Sequence, residues 1–364
     1  MTIRDITEII ENIAPLSHAE EFDNVGLLVG NPNEKVTNIL VTLDTLEEVV
    51  EEAIKKNCNL IISFHPIIFS GLKKLNGKNY VERVVIKAIQ NNIAIYATHT
   101  ALDNSIVGVN AKICEVLGLN NTKILIPKKH TIQKLTTYIP LKDAEKLRSA
   151  LFDAGAGNIG NYDQCSFNMD GFGTYRANKK ANPTIGEIEI RHQENETCIT
   201  VIFEKHIESK ILNTLFKNHP YEEVAYEIIT LNNINQQIGL GMIGEFSTAL
   251  NEDEFLTFVK KKMNTAFVRC SKLLGTKIKK VAVLGGAGSF AIEEAIAQGA
   301  DAFITSDLKY HEFYKAENKI LLVDVGHYES EQFTKNLLVD YLTKKIPNFA
   351  IILSETNTNS IYYL

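Results

Sequence analysis

The chain has 364 residues, 45% of them hydrophobic, with 21 Gly and 8 Pro, the composition of a globular protein long enough for two or three domains. Its net charge of -6 argues against the basic footprint that a sequence-independent nucleic-acid binder needs, and short runs such as Lys260-Lys261-Lys262 and Lys128-Lys129 read as solvated surface. Cys58, Cys114, Cys165, Cys198 and Cys270 are scattered without a CxxC pair, against both a disulfide framework and a thiolate zinc site. No apolar run approaches the ~18 residues of a membrane span, and the polar opening Met1-Thr2-Ile3-Arg4-Asp5 does not read as a signal peptide. The expectation is a soluble, cytoplasmic protein with reduced thiols and no membrane contact.

The first third alternates strand and helix. Ile39 to Leu43 has strand length, and Thr45 to Lys55 has helical spacing, with Thr45 as a candidate N-cap and Glu48 three residues on. Leu60 to Ser63 is a second short strand, Val81 to Asn91 a helix, Ile93 to Ala97 a strand and Val109 to Leu117 a helix. Strands separated by helices of about ten residues predict parallel pairing through crossovers.

The middle has a different rhythm. Leu135 to Ile139 reads as strand, Leu141 to Gly155 as helix, Thr197 to Phe203 as strand, Ile207 to Phe216 as helix and Val224 to Ile229 as strand. That order fits a ferredoxin-like α+β module. The Gly-rich stretch between Gly155 and Gly186 reads as loops and a flexible hairpin. The last third returns to the first rhythm: strands at Val281 to Leu284, Ala302 to Thr305, Ile320 to Val323 and Phe349 to Leu353, and helices to about Gln298 and from Glu331 to Lys344. The expected fold is α/β, two similar halves with mostly parallel sheets (1–128 and 235–364) and an inserted ferredoxin-like domain (129–234).

Three segments place polar groups just past the carboxyl end of a predicted strand, the edge where open α/β sheets bind ligands. They carry His65 (before Pro66), His99 with Asp103, and His327 with Glu331. His327 and Glu331 stand four residues apart, so a helix starting there projects both from one face. Imidazole with carboxylates suits Zn, Mn, Fe or Ni better than Ca. Each residue also has a plain reading: His65 as a turn residue, Asp103 as a turn former with Asn104, His327 and Glu331 as a surface pair. Gly285-Gly286-Ala287-Gly288 could cradle a phosphate or simply make a tight turn with close helix packing. Arg176 and Gly171-Phe172-Gly173 could bind an anion or be ordinary loop.

At these residues the sequence resembles a known family. The blocks are Asp23-Asn24-Val25-Gly26-Leu27-Leu28-Val29-Gly30, His65-Pro66-Ile67-Ile68-Phe69, Thr98-His99-Thr100-Ala101-Leu102-Asp103, Gly299 to Asp307, and Gly326-His327-Tyr328-Glu329-Ser330-Glu331. They look like the dinuclear-metal-centre family, labelled GTP cyclohydrolase 1 type 2 homologues and related to the NGG-interacting factor. The segment His219 to Tyr226 resembles the PII-like or CutA-like insert of its longer bacterial members. The resemblance implies His65, Asp103, His327 and Glu331 as metal ligands, with Glu331 bridging two ions, and a toroidal homohexamer. The family usually has His-His-Pro where this chain has Phe64-His65-Pro66. Phenylalanine offers no donor atom, so the expectation is one well-formed ion site and one weakened, with one or two ions per chain, Zn first among the candidates; His99 could compensate.

Two functions follow as expectations. The first is a metal-dependent hydrolase of a small nucleotide-like or phosphorylated substrate, with His99 or His311 moving a proton near neutral pH; no residue identifies guanine. The second is a non-enzymatic hexameric regulator whose insert senses a metabolite, a reading that Phe64 favours.

Overall fold

The computed structural model describes residues 1–362. Two compact units emerge, one built from residues 1–127 and 236–364 and the other from 128–235.

The first unit holds two sheets. In one, the strands run in the order Gly26–Val29, Ala94–Ala97, Leu60–Ser63, Ile39–Thr42, Ile351–Leu353. All pairings are parallel except that of the edge strand Gly26–Val29. The three inner strands are four residues long and buried throughout, as parallel strands covered on both faces require. In the other sheet the order is Arg269–Cys270, Leu321–Asp324, Ala302–Ser306, Lys277–Ala287, Gly239–Asn251, Asn120–Pro127. Its three central strands are parallel and its flanks antiparallel.

The two halves interlock. The final strand, Ile351–Leu353, pairs with Ile39–Val41 in the sheet of the opposite end of the chain. One core cluster accordingly joins Ile3, Ile6 and Ile10 to Val283, Ile304, Leu338 and Leu342. The first helix, Ile3–Glu11, is fixed by a capping box: Asp5 N donates to Thr2 Oγ1 and Thr2 N to Asp5 Oδ2. Its Ile3, Ile6 and Ile10 form one fully buried stripe.

Several boundaries differ from the sequence expectation. Thr45 does not cap: the helix runs Glu47–Lys55 from Leu46, whose side chain has no capping oxygen, and Thr45 Oγ1 is buried without a partner. The helix expected from Glu331 to Lys344 is instead two, His327–Glu331 and Thr334–Lys345. Among the described residues no helix is long and apolar enough to cross a membrane.

The second unit is a four-stranded antiparallel sheet in the order Phe167–Arg176, Arg191–Glu204, Ile132–Pro140, Tyr226–Leu231. Helices Ala144–Asp153 and Glu208–Asn218 bury Leu147, Leu151, Ile211 and Leu215 against Leu135, Ile139, Ile199 and Val201. This is the ferredoxin-like order. The stretch read as loops and a flexible hairpin contains the strand Phe167–Arg176, paired residue for residue from Phe167 opposite Thr200 to Arg176 opposite Arg191. Gly173 dilutes its β pattern for a local reason: a side chain there would run into the Glu196 carboxylate. Arg176 Nε donates to the Glu189 carbonyl, and the hollow of about 800 Å³ beside this strand is also lined by Asp170, Glu196, Glu222 and Glu223. Those carboxylates oppose the anion site weighed for Arg176.

Candidate metal centre

The strand ends assemble the site. Past Leu60–Ser63, the backbone N–H groups of Phe64 and His65 both donate to the Leu43 carbonyl, at 3.1 and 2.9 Å. Past Ala94–Ala97, His99 N donates to Phe64 O at 2.9 Å. The loop carrying His65 is thereby tied on one side to Leu43 and on the other to the short helix His99–Asp103. His99 itself adopts φ +27°, a region that non-glycine residues seldom enter and that concentrates at functional sites.

From the other sheet, Leu321–Asp324 leads through Gly326 (φ +93°) into the helix His327–Glu331. His65, His327 and Glu331 come together, with one donor atom from each inside a 4.8 Å group. Oε2 of Glu331 lies 3.1 Å from Nε2 of His65 and 3.2 Å from Nε2 of His327. One buried carboxylate oxygen thus faces both imidazoles. Glu331 is 3% exposed.

Asp103 belongs to the same electrostatic neighbourhood. Burial pushes its carboxyl well above the usual carboxylate range, and the charge of Glu331 adds to this. Its Oδ1 is buried without a hydrogen-bond partner. A carboxyl pushed up by burial and by the charge of Glu331, with a buried oxygen that has no partner, is what a bound cation would relieve.

Each imidazole is held from behind. His65 Nδ1 lies 2.8 Å from Asp44 Oδ1, His327 Nδ1 2.7 Å from Asp307 Oδ2, and His99 Nδ1 2.7 Å from Asp23 Oδ1. A carboxylate on Nδ1 leaves Nε2 as the ligating or proton-accepting atom. For His65 burial opposes protonation, yet Asp44 and Glu331 outweigh it and lift the imidazole to about 10. His327 is likewise opposed by burial and lifted to about 11 by Asp307 and Glu331. Burial also opposes ionisation of Glu331, whose two imidazole neighbours nevertheless bring it down to about 2. Without a metal the cluster therefore carries protons as its counter-charge, and metal binding would release them.

The expected site residues thus fall into four groups. His65, His327 and Glu331 converge; Asp103 stands in their field; His99 is beside them, its ring 5.4 Å from that of His65. His311 lies exposed on the 3-10 turn Tyr310–Ala316, its ring against Tyr310 and Tyr314. Phe64 is fully buried, its ring 4.9 Å from His65 and 5.6 Å from His99. Asp44 and the roles of Asp23 and Asp307 escaped the sequence reading. Their common signal was an aspartate beside a strand end: Asp44 after Ile39–Thr42, Asp307 after Ala302–Ser306, Asp23 before Gly26–Val29.

The glycine turn serves this cluster rather than a phosphate. Gly285 N donates to Asn110 Oδ1 and Gly286 N to Ser330 Oγ. At Gly286, with φ +69°, an added Cβ would meet Glu331 Oε1 at 2.5 Å. Glycine there makes room for the carboxylate.

Comparison with known proteins gives a consistent result. The family model described as Duf34/NIF3 (NGG1p interacting factor 3) matches residues 1–360. A Bacillus subtilis protein named GTP cyclohydrolase 1 type 2 homolog is 36% identical, covering 99% of this chain and 98% of its own. A Staphylococcus epidermidis protein of the same name is 34% identical over 100% of both chains. Among solved structures, the Bacillus cereus protein related to NIF3 has a TM-score of 0.87 at 35% identity, covering 100% of this chain and 99% of its own. A Staphylococcus aureus protein has a TM-score of 0.79 at 30% identity, with the same coverage.

Proposed function

The chain belongs to the DUF34/NIF3 family, and from that premise we propose that it is a metal-dependent hydrolase of a small phosphorylated or nucleotide-like substrate. The observation that carries this reading is the convergence of two Nε2 atoms on one oxygen of the buried Glu331 carboxylate, at 3.1 and 3.2 Å. His65, His327, Glu331 and Asp103 would hold one divalent ion. Two nitrogen and two oxygen donors suit Zn, with Mn, Fe and Ni as alternatives. When bound, such an ion lowers the pKa of water and polarises an oxygen of the substrate.

The remaining work falls to this chain's own residues. Asp44 and Asp307 fix the rotation and tautomer of the two ligating imidazoles. Asp23 fixes that of His99, so Nε2 of His99 is the atom that takes a proton from an attacking water. Phe64 closes one side with an apolar ring and no donor, so a second ion lacks the imidazole that the family usually supplies there. One tightly held ion per chain follows.

The test is turnover by the protein loaded in turn with Zn, Mn and Fe, against GTP and a panel of other nucleotides. The relatives' name makes GTP the first substrate to try, with formate or a formamidopyrimidine as product. Activity should vanish in Glu331→Gln and fall steeply in His99→Ala. No turnover with any metal would discard the hydrolase. The reading favoured by Phe64 would then stand: a metal-bound regulator, assembled as a hexamer, whose size changes on chelation.

A further inference from the structure

The chain continues past its last strand, and residues 354–359 are held at four places. Ser354 N donates to Val41 O at 2.8 Å, extending the strand pairing by one step. Glu52 then anchors the segment: it accepts from Ser354 Oγ at 2.6 Å, Glu355 N at 2.9 Å, and Thr356 N and Oγ1 at 3.2 and 2.6 Å. Thr358 Oγ1 donates to Asp44 Oδ2 at 2.6 Å. Finally Asn359 Nδ2 donates to Glu329 Oε1 at 3.0 Å.

The last two contacts bear on the metal centre. Asp44 uses its other oxygen, Oδ1, to hold Nδ1 of His65. Glu329 is buried and sits in the same short helix as His327 and Glu331. One six-residue segment therefore touches the support of His65 and the helix that carries His327. These imidazoles come from opposite ends of the sequence, and no strand pairing links Leu60–Ser63 to Leu321–Asp324. Thr358 is 7% exposed, so its hydroxyl is committed to Asp44 rather than shared with water.

We infer that the segment Ser354–Asn359 is a strap that sets the geometry of the metal centre, with Thr358 and Asn359 as positioning residues. The inference rests on the metal reading above. Thr358 holds Asp44 Oδ2, which favours the carboxylate orientation that keeps Oδ1 on His65. The imidazole then keeps Nε2 in its ligating orientation. Removing the outer partner of a metal-bound histidine costs 10–100-fold in affinity. Thr358 acts one bond further out, which places its loss at the lower end, about 10-fold.

The experiment measures affinity of the full-length protein for Zn²⁺ alone, by competition with a chromophoric chelator, alongside melting of the metal-free protein. Thr358→Val removes the hydroxyl with little change in shape and should weaken Zn²⁺ about 10-fold, with the metal-free melting temperature unchanged. Thr358→Ser should restore wild-type affinity, which a purely steric role would not predict. Asn359→Ala, which alters the Glu329 contact, should weaken Zn²⁺ independently and serves if Thr358→Val folds poorly. Wild-type affinity in both Thr358→Val and Asn359→Ala would overturn the strap. Glu331→Gln separates the two layers: if it too keeps wild-type affinity, the metal reading itself falls.

Discussion

Substitution of Gly286 by alanine tests how closely the backbone is fitted to Glu331. The new Cβ would lie 2.5 Å from Glu331 Oε1, whereas ordinary contact begins at 3.4 Å. The carboxylate would have to withdraw by about 1 Å, several times the ±0.2 Å tolerance of metal–ligand distances. A ligand displaced that far should cost one to two orders of magnitude in Zn²⁺ affinity, about 1.4 to 3 kcal/mol. Alanine at positive φ adds about 1 kcal/mol of strain to the fold, which must be separated from the local effect. Gly299 provides the control: its φ is +71°, against +69° at Gly286, and nothing lies within 4 Å of its added Cβ. Both variants should lose the stability that alanine at positive φ costs in thermal melts of the metal-free protein, Gly286→Ala more so because its Cβ also displaces the buried Glu331 carboxylate. Only Gly286→Ala should lose Zn²⁺ affinity in a chelator competition. Equal affinities in the two variants would refute the claim that Gly286 reserves space for a metal ligand.

Other outcomes follow from the same geometry. Burial opposes ionisation of Glu52, but the donors of Glu355, Ser354, Thr356 and Lys56 overcome it and bring the carboxyl from 4.5 to about 2. A lowered folded-state value contributes stability above the unfolded one and loses it as pH falls toward the folded one. Urea melts should show the advantage of wild type over Glu52→Gln narrowing by about 3 kcal/mol between pH 4.5 and 2; a constant gap would contradict the anchor. Asp307→Asn leaves His327 without its carboxylate and should weaken Zn²⁺ by 10–100-fold, read by the same chelator competition, with little change in metal-free melting because Asp307 is exposed.

Much of this molecule is legible in the sequence because its parallel strands are mostly short, largely apolar and regularly interrupted by helices. The same regularity draws attention to the polar residues that follow such strands within a few positions, and the resemblance of the surrounding blocks to a family then singles out His65, Asp103, His327 and Glu331 among them. What supports them is harder to read. A lone Asp44 after a strand looks like any turn aspartate, and only the fold reveals that its two oxygens face His65 and Thr358. Ser354-Glu355-Thr356-Asn357-Thr358-Asn359 has the composition of a free loop; its order comes from Glu52, some three hundred residues away in the chain. The exposed strand Phe167–Arg176 was hidden for a related reason. Its stability lies in cross-strand pairing with Arg191–Glu204 rather than in a buried face, and pairing leaves little periodicity to detect. The final strand was visible as a strand, but nothing local states that it joins the sheet of the first third.

Elemental analysis of protein purified without added metal, after exhaustive dialysis, bears most directly on the proposed centre when wild type and Glu331→Gln are compared. Among the described residues Glu331 is the one carboxylate placed against both imidazoles, so wild type should retain about one divalent ion per chain and Glu331→Gln almost none. A wild type that holds no metal under saturating Zn²⁺, or a Glu331→Gln that holds as much as wild type, would contradict it.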